Sequence, residues 1–224
     1  MLAIDTATPA ITAGLVELTD PPTEQRIEQR SVRVTENPRQ HGELLIGHVQ
    51  AACADAGAKL AELSAVVVGV GPGPFTGLRV GMVTAAALGD ALGLPVHGVG
   101  TLDAIAVDAV AAAAGPLVVI TDARRREVYW AAFDAAGTRT AGPAVLAPDA
   151  LVARLPELGA VAAAGASAGV AGLPVVGPSG PSPAGLVAVA ASALRAGAVP
   201  GPLEPLYLRR PDAVPPAATK AVTP

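Results

Sequence analysis

Residues 63–81, LSAVVVGVGPGPFTGLRVG, combine an apolar run, a glycine–proline turn and the start of a helix. The run at 63–70 is rich in valine and has the length of a strand, which predicts a central strand covered on both faces. The pattern at 75–92 predicts a long helix, in which small residues recur at every fourth position. The stretch therefore predicts a buried strand that leads through a tight turn into a helix.

The segments on either side repeat strands and helices in a similar order. Before the stretch we expect a hairpin at 1–5 and 11–18, an exposed edge strand at 26–34 and a helix at 41–56. After it we expect, in order, a strand at 94–99, a helix at 101–114, a second hairpin at 117–121 and 127–133, a helix at 147–155, a strand at 161–164 and a helix at 183–196. This repetition predicts an α/β fold of two related lobes with duplicated βββαβα-type order, the second lobe abbreviated.

The same order predicts the domain organisation. We expect an N-terminal lobe at 1–105, a smaller C-terminal lobe at 106–208 and a disordered tail at 209–224. The tail is rich in proline and alanine, a composition typical of segments without a packed core.

Composition excludes several classes of protein. Hydrophobic residues make 51% of the 224-residue chain and charged residues 15%, which excludes a disordered protein. Net charge is −4 and aromatic residues make only 2%, so tight, unaided binding to nucleic acid is not expected. The single cysteine, Cys53, cannot form an internal disulfide. The N-terminus lacks the basic segment of a signal peptide, and glycines and prolines interrupt the uncharged run at 158–194, so we expect a cytoplasmic protein without a membrane span.

The glycine-rich turn is the strongest local candidate for chemistry. Glycines let backbone N–H groups approach a ligand, and a helix N-terminus favours an anion. The ending typical of a P-loop and the glycine spacing of a dinucleotide site are both missing, so a phosphate contact and a purely structural turn remain alternatives. The candidate anion or nucleotide contacts are Gly71, Gly73, Thr76, Gly77 and Arg79.

Two further features carry charge at predicted turns. Asp5 ends the first strand, where a carboxylate holds a magnesium–phosphate or, more commonly, caps a turn. The segment 122–127, DARRRE, is a compact charged turn that binds an anion or forms a solvated hairpin tip. Its candidate residues are Asp122, Arg124 and Glu127.

No complete catalytic or metal-binding set is recognisable in the sequence. His41 and His48 lie seven positions apart, which places them about 10 Å apart along a helix, too far for one metal ion. The chain also lacks the Ser-centred motif of a nucleophile elbow. We therefore predict no catalytic residue and no metal ligand.

Six segments together resemble the TsaB family of tRNA threonylcarbamoyladenosine biosynthesis proteins. They are LAIDT at 2–6, HGELL at 41–45, GPGPFTGLRVG at 71–81, LPVHGVGTL at 94–102, DARRREVY at 122–129 and PLYLR at 205–209. The resemblance covers most of the chain up to about residue 213. It implies the acetate kinase/sugar kinase/heat-shock/actin-like fold, whose two duplicated lobes agree with the repeated order above.

The resemblance also implies a function. A TsaB-like chain is a non-catalytic scaffold that binds and activates its larger paralogue TsaD, which, with the ATPase TsaE, adds threonylcarbamoyl to the tRNA adenosine next to the anticodon. In TsaD two histidines four positions apart bind a metal, and the matching positions here are Thr101 and Ile105, neither of which offers an imidazole. An enzyme is therefore not favoured. The alternative is a stand-alone ATP-dependent or metallopeptidase-like enzyme of the same fold.

Partners follow from the same resemblance. The first two helices of the N-terminal lobe are expected to pair with TsaD in a heterodimer. For the chain alone, a homodimer and a monomer remain alternatives. The expected interface residues are Leu44, Leu45, His48, Val49, Ala52, Leu78, Gly81, Met82 and Ala85. The stripe of small residues at Gly77, Gly81, Ala85 and Gly89 suits close helix packing, either against the chain's own sheet or against a partner. We expect tRNA to be reached through the complex, with ATP and a metal ion in the complex and no cofactor on this chain.

Overall fold

The computed structural model describes residues 1–19, 26–37 and 40–209. The N-terminal lobe contains, in order, β1 (Leu2–Asp5), β2 (Ala10–Thr19), β3 (Arg26–Glu36), α1 (His41–Asp55), β4 (Val66–Gly69), α2 (Phe75–Leu92), β5 (Val96–Val99) and α3 (Thr101–Val110). The C-terminal lobe contains β6 (Leu117–Asp122), β7 (Val128–Phe133), β8 (Arg139–Leu146), α4 (Pro148–Leu158), β9 (Ala162–Ala164) and α5 (Pro183–Arg195). Short 3-10 turns lie at Leu60–Glu62 and Ala168–Ala171.

The two sheets share one strand order. The first runs β3-β2-β1-β4-β5 and the second β8-β7-β6-β9. In each, three antiparallel strands are extended by a parallel strand next to the first, β4 beside β1 and β9 beside β6. The second sheet has no counterpart of β5 within the described residues. The predicted pair of duplicated lobes, the second abbreviated, is confirmed.

The valine-rich strand β4 lies inside the first sheet, as predicted. All four of its residues are buried, because helices cover both faces of the sheet. On one face, α1 and α2 contribute Leu45 and Leu78 to a core with Val68. On the other face, α5 contributes Leu186 to a core with Val67. A parallel strand with two covered faces needs apolar side chains in both directions, which explains the continuous valine run.

The small-residue stripe of α2 packs against the chain's own sheet. Gly77, Gly81, Ala85 and Gly89 are all buried. The Thr6 hydroxyl donates a 2.7 Å hydrogen bond to the carbonyl of Gly77 and accepts a 2.9 Å bond from the N–H of Gly81. Because the helix backbone approaches the β1–β2 turn this closely, no side chain fits between them. Of the two alternatives for the stripe, intramolecular packing is the one observed.

The strand β8 was not predicted. Its sequence, RTAGPAVL, contains Gly142 and Pro143, a pair that reads as a turn. The strand lies at the edge of the second sheet, where proline is tolerated because the outer side needs no donor. The position of β8 at the sheet edge therefore outweighs the turn preference of Gly142 and Pro143.

The expected lobe boundary at 105/106 falls within α3. This helix packs mainly on the second sheet and on α5, while α5, from the C-terminal part of the chain, packs on the first sheet. The tail expected at 209–224 lies outside the described residues except for Arg209. Among the helices of the described ranges, none is long and apolar enough to span a membrane.

Candidate anion-binding cleft

Two cavities lie on either side of the start of α2. The first, about 310 Å³, is called here the aromatic cavity. Its lining includes Gly73, Phe75, Arg124, Arg125, Tyr129, Tyr207 and Arg209. The second, about 520 Å³, is called the threonine cavity. Its lining includes Thr6, Thr8, His41, Phe75, Thr76, Gly77 and Arg124. Arg124 and Phe75 line both, so the two cavities form one cleft between the glycine-rich loop and the charged turn.

Two stacked rings form one wall of the aromatic cavity. The rings of Phe75 and Tyr207 lie with centroids 5.0 Å apart and planes inclined by 28°. The Arg79 guanidinium lies 3.7 Å from the centroid of the Phe75 ring and donates a 2.7 Å hydrogen bond to the Tyr207 hydroxyl. A cation over a ring face is attracted by the negative charge of the π system, so Arg79 holds the pair together.

The opposite wall is the charged turn between β6 and β7. Arg124, Arg125 and Arg126 have φ angles of 61°, 52° and 64°, the left-handed region that non-glycine residues avoid. Each such residue costs about 1–3 kcal/mol and persists only where its surroundings impose the conformation. Here the carboxylate of Asp122 accepts a 2.9 Å hydrogen bond from the N–H of Arg124, and the N–H of Glu127 donates to the carbonyl of Arg124. The turn thereby presents three exposed arginine side chains.

Charge at this wall is only partly neutralised. The Arg209 guanidinium forms a 2.6 Å ion pair with Glu127 and donates a hydrogen bond to the carbonyl of Ala123. Among the ion pairs formed by described residues, none involves the Arg124 side chain. Burial is the main cause of a raised pKa for Tyr129, which lies between these groups, so its hydroxyl stays neutral. The cleft is therefore electropositive.

The Asp5 carboxylate, whose chain neighbour Thr6 lines the threonine cavity, is completely buried. Its two oxygens accept hydrogen bonds from the N–H of Ala7, at 2.9 Å, and from the hydroxyl of Thr101, at 2.7 Å. Burial raises the pKa of this carboxyl to about 6. Both oxygens are thus committed within the protein, which favours turn capping over a magnesium–phosphate contact.

The lining groups suit binding better than acid–base chemistry. Among the residues that the structure describes, those lining the two cavities contribute hydroxyl and guanidinium groups. None of them contributes a carboxylate. His41 lines the threonine cavity, but its Nε2–H donates a 3.1 Å hydrogen bond to the carbonyl of Thr8. Across the described residues, no group of three or more His, Cys, Asp or Glu side chains is arranged to hold a metal ion. The cleft is able to hold an anion.

The structure brings together the glycine-rich turn and the charged turn, the two candidate anion sites predicted from the sequence. Gly73 borders the aromatic cavity, Thr76 and Gly77 border the threonine cavity, and Arg79 lies on the ring pair. Gly71 is buried with φ of 96° and serves the turn itself. Asp122 and Glu127 hold the charged turn, while Arg124 faces the cleft.

Sequence reasoning did not assign Tyr207 and Arg209 to this site. Both follow α5 in a segment without regular structure, 128 residues beyond Arg79 in the case of Tyr207. One feature of the sequence could have pointed to Tyr207 as a site residue. Aromatic residues are rare in this chain, and Tyr207 is one of only five.

The expected partner-interface residues require correction. Leu45, Val49, Ala52, Leu78, Gly81, Met82 and Ala85 are buried in the chain's own core. Leu44 is half-buried against the same core. His48 is half-buried between the carbonyl of Leu44 and the hydroxyl of Thr35 on β3, at 2.9 Å from each. Residues that already pack against their own sheet do not form an exposed surface, so these positions support the helices from inside.

The two positions matched to the metal-binding histidines of TsaD make contacts within the protein interior. Thr101 caps the Asp5 carboxylate, and Ile105 is completely buried in the core of the second lobe. Neither side chain faces the cleft's lining.

Comparison with known proteins identifies the family. Residues 33–194 match the family model TsaD, tRNA N6-adenosine threonylcarbamoyltransferase. The tRNA threonylcarbamoyladenosine biosynthesis protein TsaB of Escherichia coli is 35% identical over 134 residues, 59% of this chain and 54% of that protein. The chain belongs to the TsaB family. Its membership agrees with the resemblance drawn from the six sequence segments.

Other relatives cover this TsaB-family chain more completely. The uncharacterised protein Rv3421c of Mycobacterium tuberculosis is 54% identical over 215 residues, 96% of this chain and 94% of that protein. The solved structure of YeaZ from Pseudomonas aeruginosa superimposes with a TM-score of 0.71 at 26% identity and covers 92% of this chain and 98% of that one. The two-lobed α/β fold predicted from the sequence is thus confirmed for the TsaB-family chain.

Proposed function

We propose that this chain is a non-catalytic subunit in the biosynthesis of tRNA threonylcarbamoyladenosine, in which it binds and activates the catalytic relative TsaD. The family membership supports the pathway. The observation that carries the finer role is the outward face of α1 and α2, opposite the core residues described above.

This outward face, called here the helix face, carries small and apolar residues among polar ones. Its apolar part consists of Gly42, Ile46 and Gly47 on α1 and Val83, Ala86 and Ala87 on α2, beside the exposed Glu43, Gln50 and Asp90. Ile46 is 44% exposed and Val83 66% exposed. A Cβ atom added at Gly42 or Gly47 would meet nothing within 4 Å, so the α1 backbone is accessible there. Exposed apolar side chains beside small residues suit packing against the helices of another chain.

The cleft supports a role without catalysis on this chain. The Asp5 carboxylate is buried and bonded on both oxygens, whereas the residues that line the cleft supply guanidiniums and hydroxyls. In this proposal ATP and a metal ion act in the assembled complex with TsaD and TsaE. The complex works in the cytoplasm on tRNA.

The test is association with the catalytic subunit. Val83→Arg puts a charge on the helix face and should weaken binding to purified TsaD by more than about tenfold, as for a central interface residue. Val152→Arg, at a 41% exposed position on α4 of the other lobe, is the matched control and should bind as the wild type does. Isothermal titration calorimetry measures both. Equal binding by Val83→Arg and the wild type would contradict the proposed surface.

A second measurement addresses the alternative of a stand-alone enzyme. The isolated chain is assayed for ATP hydrolysis and metal content, and then for tRNA modification with TsaD and TsaE, with and without the chain. We expect modification only when the chain is present, and no turnover by the chain alone. Robust hydrolysis by the isolated chain would favour the enzyme.

A further inference from the structure

We propose that the charged turn and the Phe75–Tyr207 ring pair form a contact site for single-stranded RNA, with phosphates on the arginines and one base against the rings. The inference rests on the proposed function, because RNA is the substrate of that system. It goes beyond that function by giving this chain its own contact with the RNA.

The first argument is the distribution of charge. The chain is negative overall, at −4, yet three arginines line the aromatic cavity, another contacts its ring pair and a fifth lies in the adjoining charged turn. They are Arg79, Arg124, Arg125, Arg126 and Arg209. The two carboxylates of the charged turn are engaged, since Glu127 pairs with Arg209 and Asp122 accepts from a backbone N–H. Positive charge is therefore concentrated on one surface of an acidic protein, as expected of a local phosphate contact.

The second argument is the position of the aromatic residues. Only five occur in the chain, and three of them line this cavity. Phe75 and Tyr207 are exposed although both are large rings. Proteins that hold single strands without reading their sequence combine such rings with a basic groove, because every base has a face that stacks.

The third argument is the conformation of the charged turn. A solvated hairpin tip in the left-handed region would use glycine or asparagine, which adopt it at little cost. This turn uses three arginines instead, at φ angles between 52° and 64°. Backbone strain that a sequence retains despite its cost is typical of binding sites. The strain favours a ligand contact over the solvated tip.

The volume of the aromatic cavity also limits the size of the ligand. A volume of about 310 Å³ accommodates one base and its phosphate, and a double helix is too wide to enter it. The sequence led us to expect that tRNA reaches only the other subunits of the complex. The structure assigns this chain a small contact instead, weak on its own because few phosphates are engaged.

Fluorescence anisotropy of the full chain with a labelled single-stranded RNA of about 10 nucleotides tests the inference. Arg124→Ala with Arg126→Ala should weaken binding about tenfold at low salt and reduce the slope of log affinity against log salt by about 1.4, since each phosphate contact contributes about 0.7. Arg26→Ala with Arg30→Ala removes the same charge from β3 and should leave affinity nearly unchanged. Tyr207→Ala should weaken binding without changing the salt slope, whereas Tyr207→Phe should retain it.

Three outcomes would overturn the inference. One is an equal loss for the two arginine pairs, which would indicate diffuse charge. Another is an unchanged affinity for the Arg124 and Arg126 double variant. The third is displacement of the RNA by equimolar ATP or AMP, which would make the cavity a site for a free nucleotide. Each variant is also tested for TsaD binding, which should be normal, so that failure of the RNA contact is distinguished from failure of the helix face.

Discussion

The carboxylate of Asp5 accepts a 2.7 Å hydrogen bond from the hydroxyl of Thr101. Asp5 is the last residue of β1 and Thr101 the first of α3, a helix that packs mainly on the second sheet and on α5, so the bond ties the first sheet to that helix. Both residues are completely buried. Burial outweighs the hydrogen bonds and raises the pKa of Asp5 to about 6 from its ordinary value of 3.8.

This raised pKa predicts a loss of stability as pH rises. Between about pH 4 and pH 6 the folded chain binds more protons at Asp5 than the unfolded chain, so the free energy of unfolding falls across this interval. At about 1.4 kcal/mol per pKa unit, the ionised carboxylate costs roughly 3 kcal/mol at neutral pH. Asp5→Asn should remove this part of the pH dependence, as measured by urea unfolding at several pH values. Parallel pH profiles for the variant and the wild type would contradict the assignment.

Gly81 of α2 is predicted to be intolerant of a side chain. A Cβ atom there would overlap the Thr6 hydroxyl, which is held by two hydrogen bonds. Gly81→Ala should therefore destabilise the fold by about 2 kcal/mol, as overpacking does. Gly47→Ala, in open space on α1, should stabilise it by about 0.5–1 kcal/mol through helix propensity. Thermal unfolding of the two variants should give shifts of opposite sign, and shifts of the same sign would show that Gly81 is not closely packed.

Gly73 is predicted to allow the glycine-rich loop to pack closely against the backbone of Ala7. A Cβ atom at this residue would overlap the backbone carbonyl of Ala7, which cannot rotate away. Gly73→Ala should cost at least about 2 kcal/mol of unfolding free energy, since backbone must shift. Gly201→Ala, where a Cβ atom meets nothing within 4 Å, is the control and should change stability by less than about 0.5 kcal/mol. If urea unfolding shows that Gly73→Ala lowers the free energy of unfolding no more than Gly201→Ala does, the loop is not held against the β1–β2 turn.

Self-association of the isolated chain is predicted to use the helix face. Ile46→Glu should reduce concentration-dependent dimerisation, because it places a charge on an apolar contact. Val161→Glu, at a position 46% exposed compared with 44% for Ile46, is the matched control. Sedimentation velocity over a range of concentrations measures both. Dimerisation that survives Ile46→Glu, or is lost equally in the control, would place the contact elsewhere.

Helical periodicity located the apolar stripes of α1 and α2 but assigned them to the wrong contact. The stripe through Leu45 and Leu78 covers the sheet, while Val83 on the other side of α2 remains exposed. A period of 3.6 residues identifies an apolar face and says nothing about which neighbour covers it. In a helix rich in alanine and glycine, both faces look compatible with packing.

Local sequence patterns were enough to predict the order of strands and helices apart from β8, the duplicated lobes and the family. These depend on local patterns: valine runs for buried strands, glycine and proline for turns, and motifs that persist at fixed spacing. Three contacts follow from the folded arrangement alone: Arg124 faces Phe75 across a cleft, Tyr207 stacks on Phe75, and both Asp5 oxygens are bonded within the protein. Such contacts join residues far apart in the chain, and they form because two sheets and their covering helices pack in one arrangement, which no local pattern contains.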